Sequence, residues 1–309
     1  MSILCRKDIL RSDLLSDEEL GLVLSTATRF EGALKAGDRL ANMQGQILAT
    51  LFFEPSTRTR LSFETAMLRL GGQVITVADP QTSSAAKGES LADSVRTVEG
   101  YADVIVIRHP RKGSAQEAAD AVEVPVINAG DGAGQHPTQA LLDVYTIQKE
   151  RGSLRGLTVS LTGDLKNGRT VHSLAYLLTR FGVRLLLISP PGLEMPAEIS
   201  ADLRRAGAQI REDSDLAAAV RASDVVYVTR IQRERFEDPA QYERLKGSCV
   251  VDMALVRQGK PGITIMHPLP RMDEIGTEVD GYEGAAYFRQ AANGVPIRMA
   301  LLALVTGRE

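Results

Sequence analysis

The sequence lacks the features that would mark a membrane, secreted or nucleic-acid-coating protein. Its 36 lysines and arginines nearly balance 39 aspartates and glutamates, which leaves a net charge of −3 over 309 residues. The longest apolar run, residues 299–305, is far shorter than the roughly 20 residues of a bilayer-spanning helix. Only two cysteines occur, Cys5 and Cys249, so neither a disulfide scaffold nor a zinc knuckle is predicted. Residues 1–20 hold no apolar stretch of signal-peptide length, and a cytoplasmic location is expected.

What the sequence does contain is a regular alternation of short apolar runs and longer amphipathic segments. Helices are predicted from a capping box at 16–19 and over 61–70, 91–98 and 287–305. Strands are predicted over 47–53, 74–77, 104–107, 124–127, 157–161, 183–188, 225–228, 250–251 and 263–266. Because strands that are apolar on both faces indicate parallel sheets, and a domain takes about 150 residues, we expect an α/β protein of two domains. Each domain should have a central parallel sheet flanked by helices, with a junction near the polar stretch 150–156.

The segment after the first predicted strand has the composition of an anion site. Pro55 should end the strand, and either Ser56 or Thr57 can cap the helix that follows, whose first-turn amides would face outward. Arginines at a helix N-terminus oppose the helix dipole, so a bound anion would explain Arg58 beside these hydroxyls. The alternative is a solvated, well-capped helix without a ligand.

Other strands are followed by further cationic or polar groups, in the place where parallel α/β sheets bind ligands. Arg58, Arg108, Arg169 and Arg230 all follow predicted strands. A glycine-rich turn over 128–139 delivers His136 and Gln139 to the next helix. Three of the four histidines, 109, 136 and 267, directly precede proline, and for each of them packing remains the alternative to a role in a site. They are too scattered to predict a metal centre, and His172 is expected to pack within a helix.

The sequence lacks the common motifs for nucleotide binding and for a serine nucleophile. It has no G-x-G-x-x-G fingerprint, no G-x-x-x-x-G-K-[ST] loop and no G-x-S-x-G elbow. The pattern therefore predicts that one phosphorylated and one carboxylated small molecule bind across a two-domain cleft. A direct transfer between them would be assisted by proximity and charge stabilisation.

Seven of these segments together resemble the catalytic chains of the carbamoyltransferase family, and in particular its aspartate-using branch. They are S-T-R-T-R at 56–60, the 83–89 loop with K-G-E, R-H-P at 108–110, H-P-T-Q at 136–139, G-D-L-K-N-G-R-T at 163–170, T-R-I-Q at 229–232 and H-P-L-P-R at 267–271. The ornithine-using branch has H-C-L-P where Pro268 stands here. The resemblance implies transfer of the carbamoyl group of carbamoyl phosphate to the α-amine of L-aspartate, an early step of de novo pyrimidine biosynthesis.

The resemblance also implies individual roles, residue by residue. Those implied to be catalytic are Arg58, Thr59, Arg108 and His136. The residues implied to bind carbamoyl phosphate are Ser56, Thr57, Arg58, Thr59, Arg108, His136, Gln139 and the backbone carbonyls of Leu269 and Pro270. The residues implied to bind aspartate are Lys87, Arg169, Arg230 and Gln232.

Domain boundaries and partners follow from the same resemblance. It implies a carbamoyl phosphate-binding domain over 1–135, with the helix at 287–309 packed back on it, and an aspartate-binding domain over 136–286. It implies a homotrimer in which the 83–87 loop enters the neighbouring active site, with no metal or organic cofactor and neither nucleic acid nor membrane as partner. A separate regulatory chain is left open. Two alternatives remain: a family member that uses another amine, and a catalytically silent, anion-binding subunit.

Overall fold

The computed structural model describes residue 4 and residues 7–79, 87–236 and 238–309. The chain forms two compact units. Unit 1 comprises Met1–Leu142 together with Asn293–Glu309, and unit 2 comprises Asp143–Ala292. Both crossings, at 142/143 and 292/293, fall inside continuous helices, whereas the resemblance places the domain boundaries at 135/136 and 286/287. None of the helices in the described part of the chain combines the length and apolar character that a membrane span needs.

Unit 1 is built on a four-stranded parallel sheet in the order β2-β1-β3-β4. Its strands are β1 Ile47–Phe52, β2 Gln73–Val77, β3 Val104–His109 and β4 Val126–Asp131. Its helices are α1 Asp17–Ala36, α2 Thr57–Arg69, α3 Leu91–Glu99, α4 Ser114–Ala121 and the first part of α5 Pro137–Arg151, with a 3₁₀ turn at Ser12–Leu14. Buried aliphatic side chains of the strands pack against α3 and α4 and exclude water from one face of the sheet.

Unit 2 is built on a five-stranded parallel sheet in the order β7-β6-β5-β8-β9. Its strands are β5 Thr158–Thr162, β6 Arg184–Ile188, β7 Gln209–Asp213, β8 Val225–Val228 and β9 Thr264–Met266. Its helices are α6 Arg169–Thr179, α7 Ala197–Arg205, α8 Leu216–Ala222, α9 Pro239–Leu245, α10 Met253–Val256 and the start of α11 Tyr287–Val305, with 3₁₀ turns at Arg233–Arg235 and Thr277–Gly281. Together the two units confirm the predicted fold class.

Each sheet has one point at which the chain reverses its direction of winding. In unit 1 the chain goes from β1 outward to β2 and then returns to β3 on the other side of β1. In unit 2 it goes from β5 out to β7 and returns to β8 on the other side of β5. The crevice beyond the carboxyl ends of the two strands at such a point is where doubly wound α/β sheets bind ligands. The loops after β1, β3, β5 and β8 therefore lie where such sheets bind ligands.

One strand prediction was wrong, and one strand was missed. Residues 250–251 form no strand, and Val251 makes only an isolated bridge to Ile275, because two apolar residues are too few to sustain a ladder. The strand β7 was missed because its sequence, Q-I-R-E-D, is largely charged. It lies at the edge of the sheet, where most of its residues are exposed, and hydrophobic patterning is weak in such strands. The predicted capping box of α1 is confirmed, with both Ser16 and Glu19 making the reciprocal bonds.

Candidate active site

The N-terminus of α2 lies directly beyond the carboxyl end of β1. Ser56 occupies the N-cap, but its side chain makes no capping hydrogen bond among the described residues, so the predicted hydroxyl cap is absent there. The first turn holds no acidic side chain. Thr57 and Arg58 are exposed, whereas Thr59 is buried. The first-turn amides and the hydroxyls thus stay available to an external acceptor, which is the arrangement that binds phosphates at helix N-termini.

Arg58 is a cation without a carboxylate partner among the described residues. Its pKa is lowered only by partial desolvation, and no acidic group offsets that effect. Arg60, two positions on, has its Nε 3.8 Å from Oε1 of Glu64. A guanidinium that opposes the helix dipole and lacks an internal partner is stabilised when an anion binds beside it.

Arg108 comes from the neighbouring strand. It lies at the carboxyl end of β3, opposite Phe52 of β1 in the register, and is almost fully buried. Its Nη1 donates to the Ala129 carbonyl at 3.2 Å, and its Nη2 lies 3.2 Å from Oε2 of Glu54. Two separate partners hold the guanidinium at the point where the winding of the sheet reverses. The sequence analysis did not foresee Glu54.

The glycine-rich turn that precedes α5 is organised by the buried carboxylate of Asp131. Oδ1 accepts from the Gln135 amide at 2.6 Å, and Oδ2 accepts from the Gly113 amide at 2.8 Å. Gly132 has φ +55, and a Cβ there would collide with the Pro110 carbonyl oxygen, so only glycine fits. This turn sets the start of α5, where His136 and Gln139 are both buried in unit 1.

In unit 2, buried Asp164 joins the loops that follow β5 and β8. Oδ1 accepts from the Asn167 amide at 2.9 Å, and Oδ2 accepts from the Gln232 amide at 3.4 Å. Gly163 has φ +113, and any Cβ there would collide with the Thr229 carbonyl oxygen. The close backbone approach that glycine permits brings the two loops together at the point where this sheet reverses its winding.

The residues of unit 2 that are predicted to bind aspartate follow these same two strands. Arg169 is the first residue of α6, directly after the N-cap Gly168, and no acidic residue lies in that first turn. Arg230 and Gln232 follow β8. All three side chains are half-buried. The topology therefore places two arginines and a glutamine directly after adjacent strands, where doubly wound sheets bind ligands.

The third loop of unit 2 follows β9, next to β8 in the sheet. His267 is buried, Leu269 is half-buried and Pro270 is exposed. The Leu269–Pro270 peptide bond is cis, and Leu269 has φ +54, a value that residues other than glycine rarely adopt. His267 accepts the Leu269 amide through Nδ1 at 2.8 Å. This histidine thus anchors the loop that carries the two predicted carbonyls.

Three further residues singled out in the sequence are Lys87, His109 and His172. Lys87 is exposed in unit 1, and the rest of the predicted 83–87 loop lies outside the described residues. His109 is half-buried, its ring centroid lies 5.3 Å from that of Phe53, and its Nδ1 accepts the Arg111 amide at 3.0 Å. Burial lowers the pKa of His109 and that of His172, whose Nε2 lies 2.6 Å from the Leu165 carbonyl oxygen. Both histidines fit a packing role.

Comparison with known proteins assigns the chain to a family. Residues 7–149 match the carbamoyl-P binding domain of the aspartate/ornithine carbamoyltransferases, and residues 155–305 match their Asp/Orn binding domain. The chain belongs to the aspartate/ornithine carbamoyltransferase family. A relative from Thermococcus gammatolerans, named aspartate carbamoyltransferase catalytic subunit, is 55% identical over 97% of this chain and 98% of its own length.

Solved structures of this carbamoyltransferase family agree with the fold. The catalytic subunit of M. jannaschii aspartate transcarbamoylase superposes with a TM-score of 0.91 at 48% identity, over 97% of this chain and 98% of that one. An aspartate transcarbamoylase from Trypanosoma cruzi, in complex with carbamoyl phosphate and aspartate, gives a TM-score of 0.92 at 42% identity, over 97% of each chain.

Four residues that contact the candidate site residues or their loops were not predicted from the sequence. Glu54, Asp131 and Asp164 each follow a strand or end one, as the predicted arginines do. Arg298 of α11 is buried in unit 1, stacks over Phe63 at 5.0 Å and donates to the Thr138 hydroxyl at 3.3 Å. The signal that could have found the acids is their position at strand ends, since buried carboxylates there need donors from neighbouring loops.

Proposed function

We propose that this chain transfers the carbamoyl group of carbamoyl phosphate to the α-amine of L-aspartate, giving N-carbamoyl-L-aspartate and phosphate. The observation that carries the proposal is the placement of cationic and hydroxyl groups at the winding reversal of both sheets. Family membership by itself leaves the acceptor open between aspartate and ornithine. Arg169 and Arg230 favour a dicarboxylate acceptor, because a second cationic amine would be repelled beside them.

Unit 1 supplies the groups for carbamoyl phosphate. The α2 N-terminus, with the side chains of residues 56–59, offers amides, hydroxyls and a guanidinium to the phosphate oxygens, and Arg108 adds a second guanidinium. Arg108, Thr59, His136 and Gln139 are assigned to the carbamoyl group and its bridging oxygen. The Arg108–Glu54 pair fixes the guanidinium before substrate arrives, so little reorganisation accompanies binding.

Unit 2 supplies the groups for aspartate. Arg169, Arg230 and Gln232 are assigned to the two carboxylates, and Asp164 orients Gln232 through its backbone. The carbonyls of Leu269 and Pro270 are assigned to the carbamoyl and amine nitrogens, because carbonyl oxygens accept hydrogen bonds from N–H groups. Lys87 is assigned to the aspartate carboxylates of a neighbouring subunit.

The reaction follows from these assignments. The neutral α-amine of aspartate attacks the carbamoyl carbon, forming a C–N bond and a tetrahedral intermediate. Arg108, Thr59 and His136 donate hydrogen bonds to its oxyanion, each worth about 2.7 to 4 kcal/mol by analogy with other oxyanion holes. The intermediate collapses when the C–O bond to phosphate breaks, and the departing phosphate takes the proton that the amine loses.

The oligomeric state, the cellular location and the pathway of this protein stay predictions. We expect a homotrimer whose 83–87 loops complete neighbouring sites, a cytoplasmic location and a place early in de novo pyrimidine biosynthesis. The relatives' name, catalytic subunit, supports a separate regulatory chain as a partner of this protein.

The test is an assay of the purified full chain with carbamoyl phosphate and a panel of aspartate, ornithine and related amino acids. We expect carbamoyl-aspartate as the product and a solution mass three times that of the chain. Carbamoyl-ornithine as the main product would show that the acceptor is ornithine and not aspartate. Tight binding of carbamoyl phosphate without turnover of any amine would instead favour the catalytically silent subunit.

A further inference from the structure

Both ring nitrogens of His267 are engaged in a buried hydrogen-bond network in unit 2. Nδ1 accepts the Leu269 amide at 2.8 Å, and Nε2 lies 2.6 Å from Oε1 of Glu274. Histidine and glutamate side chains are 1% and 7% exposed, so water does not compete for either bond. Because Nδ1 accepts a hydrogen bond, the proton of the neutral ring must sit on Nε2, where it is donated to Glu274.

Glu274 is itself held so that it can only accept. Its Oε2 accepts the backbone amides of Met272 and Asp273, each at 3.1 Å. Burial raises the pKa of this carboxyl most strongly of any single influence, but the hydrogen bonds from His267 and from the backbone amides leave the pKa below its ordinary value. The carboxylate is therefore ionised at neutral pH and fixes the tautomer of His267.

The backbone of His267 is fixed by a second set of contacts. Its amide donates to Oε1 of Gln290 at 2.9 Å, and the Gln290 Nε2 donates to Oδ1 of Asp143 at 2.7 Å. Oδ2 of Asp143 accepts the Tyr227 hydroxyl at 2.8 Å. Gln290, Asp143 and Tyr227 are all buried, and Tyr227 lies on β8, which pairs with β9. The network thus joins helices α5 and α11 to the end of β9.

The segment at the end of this network has a conformation that needs external support. Leu269 has φ +54 without being glycine, a backbone state that persists only where the surroundings determine it. Its amide has one partner, the Nδ1 of His267, among the described residues. The orientation of the Leu269 and Pro270 carbonyls therefore depends on an acceptor at the position of that nitrogen.

We infer that His267 is a positioning residue for the transfer reaction: its Nδ1 holds the Leu269 amide, and so aims the Leu269 and Pro270 carbonyls at the nitrogens of the substrates. The inference rests on the proposed function, which gives those carbonyls their role. His267 touches neither substrate, and its effect passes through the backbone.

Two substitutions separate the two hydrogen bonds of the ring. In His267→Asn the side-chain oxygen can take the place of Nδ1 and accept the Leu269 amide, but the bond to Glu274 is lost. In His267→Gln the longer amide reaches Glu274, but nothing replaces Nδ1. Each variant loses one buried bond, so the thermal midpoints should fall by similar amounts. We expect His267→Gln to lose about tenfold or more in kcat, since small displacements of reacting groups cost large factors, and His267→Asn to lose less than about threefold.

The outcomes separate the inference from the function on which it rests. A wild-type chain that forms no carbamoyl-aspartate removes the proposed function and the inference with it. An active wild type with equal kcat values in the two variants overturns the inference alone. If His267 had a purely structural role, each variant would lose activity only in proportion to the fraction of its molecules that is unfolded. Asp224→Asn, which breaks a half-buried ion pair at the amino end of the same sheet, is the control that lowers stability with kcat unchanged.

A measurement on the wild-type protein keeps the inference testable if both variants fail to fold. ¹⁵N chemical shifts of the His267 ring should show a protonated Nε2 and an unprotonated Nδ1, and the Leu269 amide should exchange slowly with solvent. Rapid exchange of that amide, or a proton on Nδ1, would overturn the inference.

Discussion

The candidate groups of unit 1 and unit 2 reach the carboxyl edge of their sheets in different ways. In unit 1 the groups proposed to bind phosphate lie on four consecutive residues, Ser56 to Thr59, at one helix start. In unit 2 the groups for the acceptor are divided among the loops after β5, β8 and β9, and buried Asp164 and His267 hold those loops. An anion site can thus be built from local geometry, whereas a site that recognises a shaped dicarboxylate needs long-range contacts.

The largest effect should come from Arg58→Ala, because this variant removes a cation that has no carboxylate partner among the described residues. We expect kcat/KM for carbamoyl phosphate to fall by about 10² to 10³, with an unchanged thermal midpoint. The matched control is Arg60→Ala in the same helix turn, where the side chain faces Glu64 and the loss should be small. Equal losses in the two variants would show that the charge of the helix end, and not Arg58 itself, binds the phosphate.

Arg230→Ala should act on the other substrate. A lost charge-assisted bond of about 1.5 to 3 kcal/mol corresponds to a rise of about 10- to 150-fold in KM for aspartate, with KM for carbamoyl phosphate little changed. Arg233→Ala, which removes an exposed arginine 6.0 Å from the Tyr242 ring, is the control. A larger change in the carbamoyl phosphate KM than in the aspartate KM would contradict the division of roles between the units.

Asp164→Asn should have an intermediate effect and tests the long-range support of unit 2. The variant keeps the size of the side chain but weakens the bonds to the amides of Asn167 and Gln232. Steady-state kinetics should show about a tenfold rise in KM for aspartate, since a bond to a charged group is worth at least about 1.5 kcal/mol. An unchanged KM with a lowered thermal midpoint would make Asp164 a purely structural residue.

The smallest effect on activity should come from Asp224→Asn, at the amino edge of the unit 2 sheet. Asp224 accepts the Lys260 ammonium at 2.7 Å and the Thr158 amide at 2.8 Å. Burial acts to raise its pKa, but these bonds leave the pKa below its ordinary value. The carboxylate therefore adds stability that is fully present above its unfolded pKa of about 4 and is lost as the pH falls through the lower pKa of the folded protein. Denaturant unfolding should show the variant less stable by about 1 to 3 kcal/mol at pH 7, with the difference shrinking as the pH falls below about 4. A constant difference across this range would contradict the assignment.

The sequence predicted most of the fold where structure is local. The Ser16 capping box and the apolar strands are encoded in neighbouring residues, and the structure confirms them. It failed for β7, whose charged residues are tolerated because an edge strand is exposed. It failed again at 250–251, where Val251 alone forms an isolated bridge to Ile275. In both places the environment, which the local pattern does not contain, decided the result.

The sequence by itself determined the alternation of strands and helices and the identity of the polar groups that follow each strand, because backbone preference and hydrophobic period act over a few residues. Only the tertiary structure decided that β1 lies beside β3 and β5 beside β8. It alone paired Glu54 with Arg108 and Asp164 with Gln232, and it gave His267, written in the same His-Pro pattern as His109, a different set of contacts. These choices depend on strand order and on buried donors and acceptors from distant segments, which must be matched for the chain to fold.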